Sequence, residues 1–164
     1  MRPGHDAFTF AGHDVPCMND QRSETPTLAS QGKKVESAAA RLRRSLESGE
    51  VDRLAQLYAP DALLDANLPS WRVQRQGTGA IVKQFEEWYP EPPRYVEWRE
   101  RPAPWGAVVE CAELHGDGAD ETYFRSVCLL LMDGERIGEH IVYCTGAWDP
   151  ATRKRHAREA PMVG

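Results

Sequence analysis

Apolar positions recur along this chain in two rhythms, first helical and then alternating. From Lys33 onward, Val35, Ala38, Ala39, Leu42 and Leu46 follow a helical spacing that Ser48-Gly49 stops. Asp52 caps a second, shorter helix carrying Leu54, Leu57 and Tyr58 and ending at Ala59-Pro60. Ala62 to Asn67 alternates as a short strand, and Trp71 to Gln76 is a second extended piece ending at Gly77. Thr78 caps a third helix, with Ile81, Phe85 and Trp88 on one face and Pro90-Glu91-Pro92-Pro93 as its stop. Beyond it the period falls to two. The predicted strands are Tyr95 to Arg101, Trp105 to Leu114, Thr122 to Met132 and Arg136 to Thr145. Pro102-Ala103-Pro104 breaks the first two, His115 to Asp120 makes a Gly-rich turn, and Asp133-Gly134 signals a tight hairpin. Helices followed by an antiparallel meander make the fold class α+β.

The last two strands are apolar on both faces. One face of the fifth carries Arg125, Val127, Leu129 and Leu131, the other Ser126, Cys128, Leu130 and Met132. In the sixth, Ile141 and Tyr143 alternate with His140, Val142 and Cys144. An antiparallel sheet covered on one side should alternate polar with apolar, so something must cover the second face. Three helices of modest length do not suffice for a sheet this long. The expectation is a homodimer packed sheet to sheet, with Ile141 and Tyr143 toward the partner and His140 toward the interior.

Both ends differ from this middle. Residues 1–32 are rich in Pro, Gly, Ser, Thr, Asn, Asp and Gln and read as a disordered tail. Met18 lies within that tail and is an alternative start, which would remove His5, His13 and Cys17. The domain spans residues 33–150. Residues 151–164 then form a short terminal helix and tail in which Asp149 caps, Pro150 opens, and Arg153-Lys154-Arg155-His156-Arg158 makes a solvated basic run.

Composition narrows the function classes. With 164 residues and 41% hydrophobic content, one domain burying roughly two-thirds of its unfolded surface is expected. A net charge of −5 argues against nucleic acid, which needs a basic face to displace counterions. No apolar run is long enough to span a bilayer and no secretory signal is evident, so the expected location is the cytoplasm, away from membranes. Cys111, Cys128 and Cys144 lie inside apolar runs, which suits reduced core thiols. Neither C-x-x-C nor His-x-x-x-His spacing occurs, so no metal or other cofactor is expected.

Three phrases carry a resemblance: LESGEVDRLAQLYAPDALLDANLP, QGTGAI opening the third helix, and the ending GERIGEHIVYCTGAWD. In that order the chain from about Lys33 to Pro150 resembles the nuclear transport factor 2-like superfamily, specifically its SnoaL-like members. The resemblance implies a cone, or α+β barrel, with helices packed in a curved antiparallel sheet around an apolar pocket. That superfamily includes ketosteroid isomerase, limonene epoxide hydrolase, polyketide cyclases, dehydratases and many non-catalytic binders, so fold does not give function. The similarity to limonene epoxide hydrolase keeps Asn67 of a Tyr-x-Asn pair, with Asp65 in place of the tyrosine. It keeps Arg125 of an Arg-x-Asp pair, with Val127 in place of the acid. The position where SnoaL-like cyclases place their base is Val142, and the ketosteroid isomerase base falls at Ala66, so those mechanisms are not copied here.

A different polar set remains. His140, Asp65 and Arg125 are the expected catalytic residues. Asn67, Trp71, Tyr58, Val127 and Val142 are the expected ligand-binding ones, and Glu110 or Glu113 is available on the intervening strand. An imidazole titrates near neutrality and can shuttle a proton, although a core histidine satisfied by a hydroxyl or carboxylate would read the same. Arg125 needs a carboxylate or an anionic ligand if it faces the cavity. Asp65 and Asn67 share one strand face and could hold a water or a carbonyl, or simply begin the turn toward Pro69. Trp88 and Trp148 suit core packing. Cys144 lies about 13 Å along the strand from His140, too far for a nucleophilic pair. Two functions follow: a cofactor-independent acid/base enzyme (cyclase, isomerase, dehydratase or hydrolase) on a small apolar molecule, or a dimeric ligand-binding module without chemistry.

Overall fold

A computed structural model of the chain describes residues 36–160. The N-terminal tail, with His5, His13, Cys17 and the alternative start at Met18, lies outside the described residues. Helix α1 (Ala38–Glu47) is capped by Ser37, whose hydroxyl accepts from the Ala40 amide, and it buries Ala39, Leu42 and Leu46 on one stripe. A 3₁₀ turn, Val51–Gln56, takes the place of the predicted second helix. The helix was expected to reach Tyr58. Instead Tyr58 opens strand β1 (Tyr58–Leu68), four residues earlier than the alternation suggests, and a register irregularity between Tyr58 and Leu63 absorbs Pro60.

Strand β2 (Trp71–Gln76) returns antiparallel to β1, and helix α2 (Thr78–Trp88) follows. Gly77, not Thr78, holds the capping position of α2, and the Thr78 hydroxyl donates to the Ala59 carbonyl at 2.9 Å. Strand β3 (Arg94–Ala103) runs through Pro102, where a break was expected, because β3 is an edge strand and needs no donor on its open side. The remaining strands are β4 (Gly106–His115), β5 (Thr122–Asp133) and β6 (Arg136–Cys144). Gly134, at a φ of 58°, turns the β5–β6 hairpin. Helix α3 (Pro150–Glu159) is capped by Asp149, as its sequence predicts.

One sheet results, in the order β2-β1-β6-β5-β4-β3. Every neighbouring pair is antiparallel except β1 with β6, which is parallel, so the sheet is mixed at one point of an otherwise antiparallel array. Its edges β2 and β3 do not meet, so the cone stays open and does not close into a barrel. Leu42 and Leu46 of α1, Leu54, Leu57 and Ile81 and Phe85 of α2 pack onto Leu64, Val109, Leu130 and Ile137 of the sheet. Trp88 packs against that core, while Trp148 pairs with Tyr123 and is only partly buried.

Candidate functional site

The registers assign each strand's faces. Inward are Glu113 and His115 on β4, Phe124, Ser126 and Cys128 on β5, and His140, Val142 and Cys144 on β6. With Leu42 and Leu46 of α1 and Phe85, Trp88 and Tyr89 at the end of α2, they enclose a cavity of about 510 Å³. Its outer end carries the exposed lining residues Pro90 and Ala147, and at its deep end His140 and Val109 are at most 2% exposed.

Toward the outer end the polar groups converge on Glu113. The carboxylate is buried, and the Tyr89 phenol donates to it, 3.1 Å from Oε1 and 3.3 Å from Oε2. His115, two residues on and therefore on the same strand face, brings Nε2 to 3.4 Å from Oε1. The Tyr89 ring stacks on Phe85 at 5.8 Å, and Phe124 meets the His115 ring edge to face at 5.1 Å, so both partners are held by packing. Burial raises the Tyr89 phenol's pKa well above its ordinary value, with the neighbouring Glu113 adding to the effect, so it remains a donor at neutral pH. A buried carboxylate between a phenol and an imidazole can accept and return a proton.

At the deep end, His140 Nδ1 and the Tyr58 hydroxyl are 2.7 Å apart. Burial lowers the imidazole pKa from 6.5 to about 3, so the ring is neutral at physiological pH, and burial raises that of Tyr58 well above its usual value. Nε2 of His140 is buried with no hydrogen-bond partner among the described residues. Such an orphan ordinarily costs about 1–3 kcal/mol. Along the wall between the two ends, Cys128 has its pKa raised, first by a hydrogen bond with Cys111 and then by burial, so its thiol is a poor nucleophile. Among the described residues no group of three His, Cys, Asp or Glu side chains is placed to hold a metal ion.

The cavity set read from sequence therefore changes. His140 and Val142 line the cavity, and Tyr58 stands behind His140. Asp65 and Asn67 lie opposite Ile141 and Tyr143 in the parallel β1–β6 register, hence on the outer face. There Asp65 accepts from Arg72 at 2.8 Å and from Gln74, and the Arg72 contact lowers its carboxyl pKa. Arg125 and Val127 are also on the outer face. Arg125 pairs with Glu97 at 2.9 Å across Ala112, the residue between them in the register, which is fully buried beneath the ion pair. Trp71 is 72% exposed and outside the cavity lining. On β5, where both faces are apolar, alternation alone does not say which one points inward, so Arg125 and Val127 are corrected to the outer face. On β1 the alternation with fully buried Leu64 and Ala66 does mark Asp65 and Asn67 as outward, against the inward placement that the resemblance implied. From sequence His115 is expected in the turn, whereas it ends β4. Its signal was the unbroken alternation Val109, Cys111, Glu113, His115, which puts it beside Glu113.

No protein-family model and no curated protein matches the sequence. Solved structures do match its fold. A protein with a ketosteroid isomerase-like fold from Catenulispora acidiphila, in complex with trimethylamine, is 16% identical over 66% of this chain and 85% of its own, with a TM-score of 0.57. A protein of unknown function from Mesorhizobium loti, described as NTF2-like, is 20% identical over 66% of this chain and 88% of its own, at 0.56. A candidate SnoaL-like polyketide cyclase from Shewanella putrefaciens is 13% identical over 74% of this chain and 93% of its own, at 0.55.

Proposed function

From a chain that has the nuclear transport factor 2-like fold, we propose a domain that binds a small, mostly apolar molecule in its cone and moves a proton on it through Glu113. The observation that carries this reading is the convergence of Tyr89 and His115 on one buried carboxylate inside a mostly apolar cavity. An apolar enclosure with a few converging polar groups is the usual build of a small-molecule site. In this reading Glu113 takes a proton from a C–H or O–H acid of the ligand, Tyr89 holds the carboxylate in place, and His115 takes up or supplies the proton in turn. The reaction class is cofactor-independent isomerisation, cyclisation or elimination.

A second reading is a binding module without chemistry. Its support is that Ala66 and Val142 occupy the positions where related enzymes carry acids. Both readings include a homodimer. The outer sheet face keeps Val127 37% and Tyr143 56% exposed, and it carries ion pairs within the sheet, Asp65 with Arg72, Glu97 with Arg125 and Glu110 with Arg101, beside one further acid, Glu139, opposite Leu131. A second copy of the same face thus meets apolar surface and charges that are mostly paired already.

Trp88 and Trp98 line the cavity, so their emission reports occupancy. Bicyclic and tricyclic ketones, diketones and phenols titrated against the protein should quench it. Those that bind should then take up solvent deuterium in D₂O, by NMR, about 10²–10⁴ times faster with the wild-type protein than with Glu113→Gln. If no compound quenches, the cavity is not a binding site. Binding with equal exchange in both proteins selects the module without chemistry.

A further inference from the structure

The buried end of the cavity has a group that proton transfer at Glu113 does not use. His140 lies between Leu64 on β1 and Leu130 on β5, both fully buried, with the Phe85 ring stacked 6.0 Å away at 23°. The Tyr58 hydroxyl is its one hydrogen-bond partner among the described residues. Tyr58 is itself 0% exposed, and Nδ1 is the only acceptor its hydroxyl has there. A buried phenol proton needs an acceptor, so Nδ1 carries the lone pair and the ring proton sits on Nε2. The opposite tautomer would orphan two groups, the phenol hydrogen and the Nε2 lone pair, where this one leaves a single orphan. That orphan is an N–H donor on a residue that lines the cavity.

Building on the reading of the cone as a ligand site, we infer that Tyr58 and His140 form a second subsite, in which Nε2–H donates to a neutral oxygen acceptor of the ligand, a ketone-type carbonyl. The surroundings select against an anion. Leu64, Leu130 and Phe85 offer no counter-charge, and an ionised carboxylate buried among them would be poorly compensated. The subsite also sets the ligand's length and direction. His140 is opposite Leu130 and Glu113 opposite Phe124, six residues apart on β5. The two sites are bridged by Phe85, which stacks on the His140 ring at 6.0 Å and on the Tyr89 ring at 5.8 Å, so they are separated by less than the ~20 Å of strand between them. The carbonyl group therefore enters first, and the reacting end stays beside Glu113. The ligand is an elongated apolar molecule with a neutral oxygen at its buried end.

Two measurements test this. In ¹⁵N-histidine-labelled protein, NMR should show the Nε2–H tautomer for His140, identified by loss of its signals in His140→Phe. Calorimetric titration with 9-fluorenone and with fluorene, which differ by one carbonyl oxygen, should give about tenfold tighter binding of the ketone, the value of one good hydrogen bond. The ratio should fall to about one in His140→Phe. Tyr58→Phe, which keeps both rings but removes the donor that fixes the tautomer, should also shrink it, and it serves should His140→Phe fail to fold. An Nδ1–H tautomer, equal affinities in the wild type, or a ratio unmoved by the substitutions would overturn the subsite while leaving the cavity reading intact. Failure of both compounds to bind would instead remove the cavity reading, and this inference with it.

Discussion

Tyr89, the residue that ends α2, donates its phenol hydrogen to Glu113 on β4, 3.1 Å from one carboxylate oxygen and 3.3 Å from the other. The bond ties the end of a helix to the concave face of the sheet and holds the one buried carboxylate that lines the cavity among the described residues. Tyr89→Phe keeps the ring that stacks on Phe85 and removes only the hydroxyl. Glu113 then retains His115 alone among its side-chain partners. The expected loss is about 1–3 kcal/mol in urea unfolding, with an unchanged m-value. A midpoint equal to that of the wild type would mean that water replaces the phenol at no cost.

His140 makes stability depend on pH with a definite sign. The unfolded imidazole takes its proton near 6.5 and the folded one only near 3, so between those values the unfolded state binds more protons. Stability from this group is complete above pH 6.5 and is lost as pH falls toward 3, by a total on the order of 5 kcal/mol. Asp65, its carboxyl held low by Arg72, adds an acid loss that begins only below its ordinary value of 3.8. Urea midpoints measured from pH 7.5 to 4 should therefore fall for the wild type and stay nearly level for His140→Leu. Parallel curves for the two proteins would show that His140 is not kept neutral by burial.

Much of the fold was legible because it rests on short-range rules. Asp149-Pro150 capped α3, Asp133-Gly134 turned the β5–β6 hairpin, and β2 had its full extent between Trp71 and Gln76. Tyr58 was misplaced because the end of a helix and the start of a strand both tolerate an aromatic residue before Pro60, and only packing against His140 decides between them. The site was less legible for a related reason. Inward and outward faces of β5 and β6 are equally apolar, so the choice between Arg125 and Ser126, or between Tyr143 and Val142, depends on where the helices pack. His140 was found because a lone imidazole among aliphatic residues stands out. Glu113 was one of two glutamates on its strand, and its Tyr89 partner comes from another element 24 residues away.

Two glycines should respond oppositely to alanine. Gly106 opens β4 with a φ of 148°, and a Cβ there would lie 1.8 Å from the Leu130 carbonyl oxygen, a backbone atom that cannot swing aside. Gly106→Ala should cost about 3 kcal/mol or more and shift β4 against β5. Gly79, in the first turn of α2, has open space around the same position. Gly79→Ala should stabilise by about 0.4–1 kcal/mol, through the entropy of the unfolded chain. Thermal unfolding of the two variants side by side checks both directions, and a neutral Gly106→Ala would show that the β4–β5 contact is looser than its geometry implies.

The outer face of the sheet sets the last expectation. Val127 and Tyr143 are direct neighbours across β5 and β6, with Leu129 and Ile141 the next pair along the same face. Helix α3 packs at the start of β5, where Trp148 bonds with Tyr123 and Arg153 lies 5.0 Å from the Tyr123 ring, so it leaves Val127 and Tyr143 exposed. An exposed cross-strand apolar cluster of this kind, ringed mostly by paired charges, is best satisfied by a copy of itself related by a two-fold axis. Light scattering at micromolar concentration should give twice the 18.4 kDa chain mass. Tyr143→Glu places a carboxylate against its own symmetry mate or against apolar surface, and should yield a folded monomer. A wild-type monomer would leave the cluster an ordinary surface feature, and a dimer that survives both Tyr143→Glu and Val127→Glu would place the interface elsewhere.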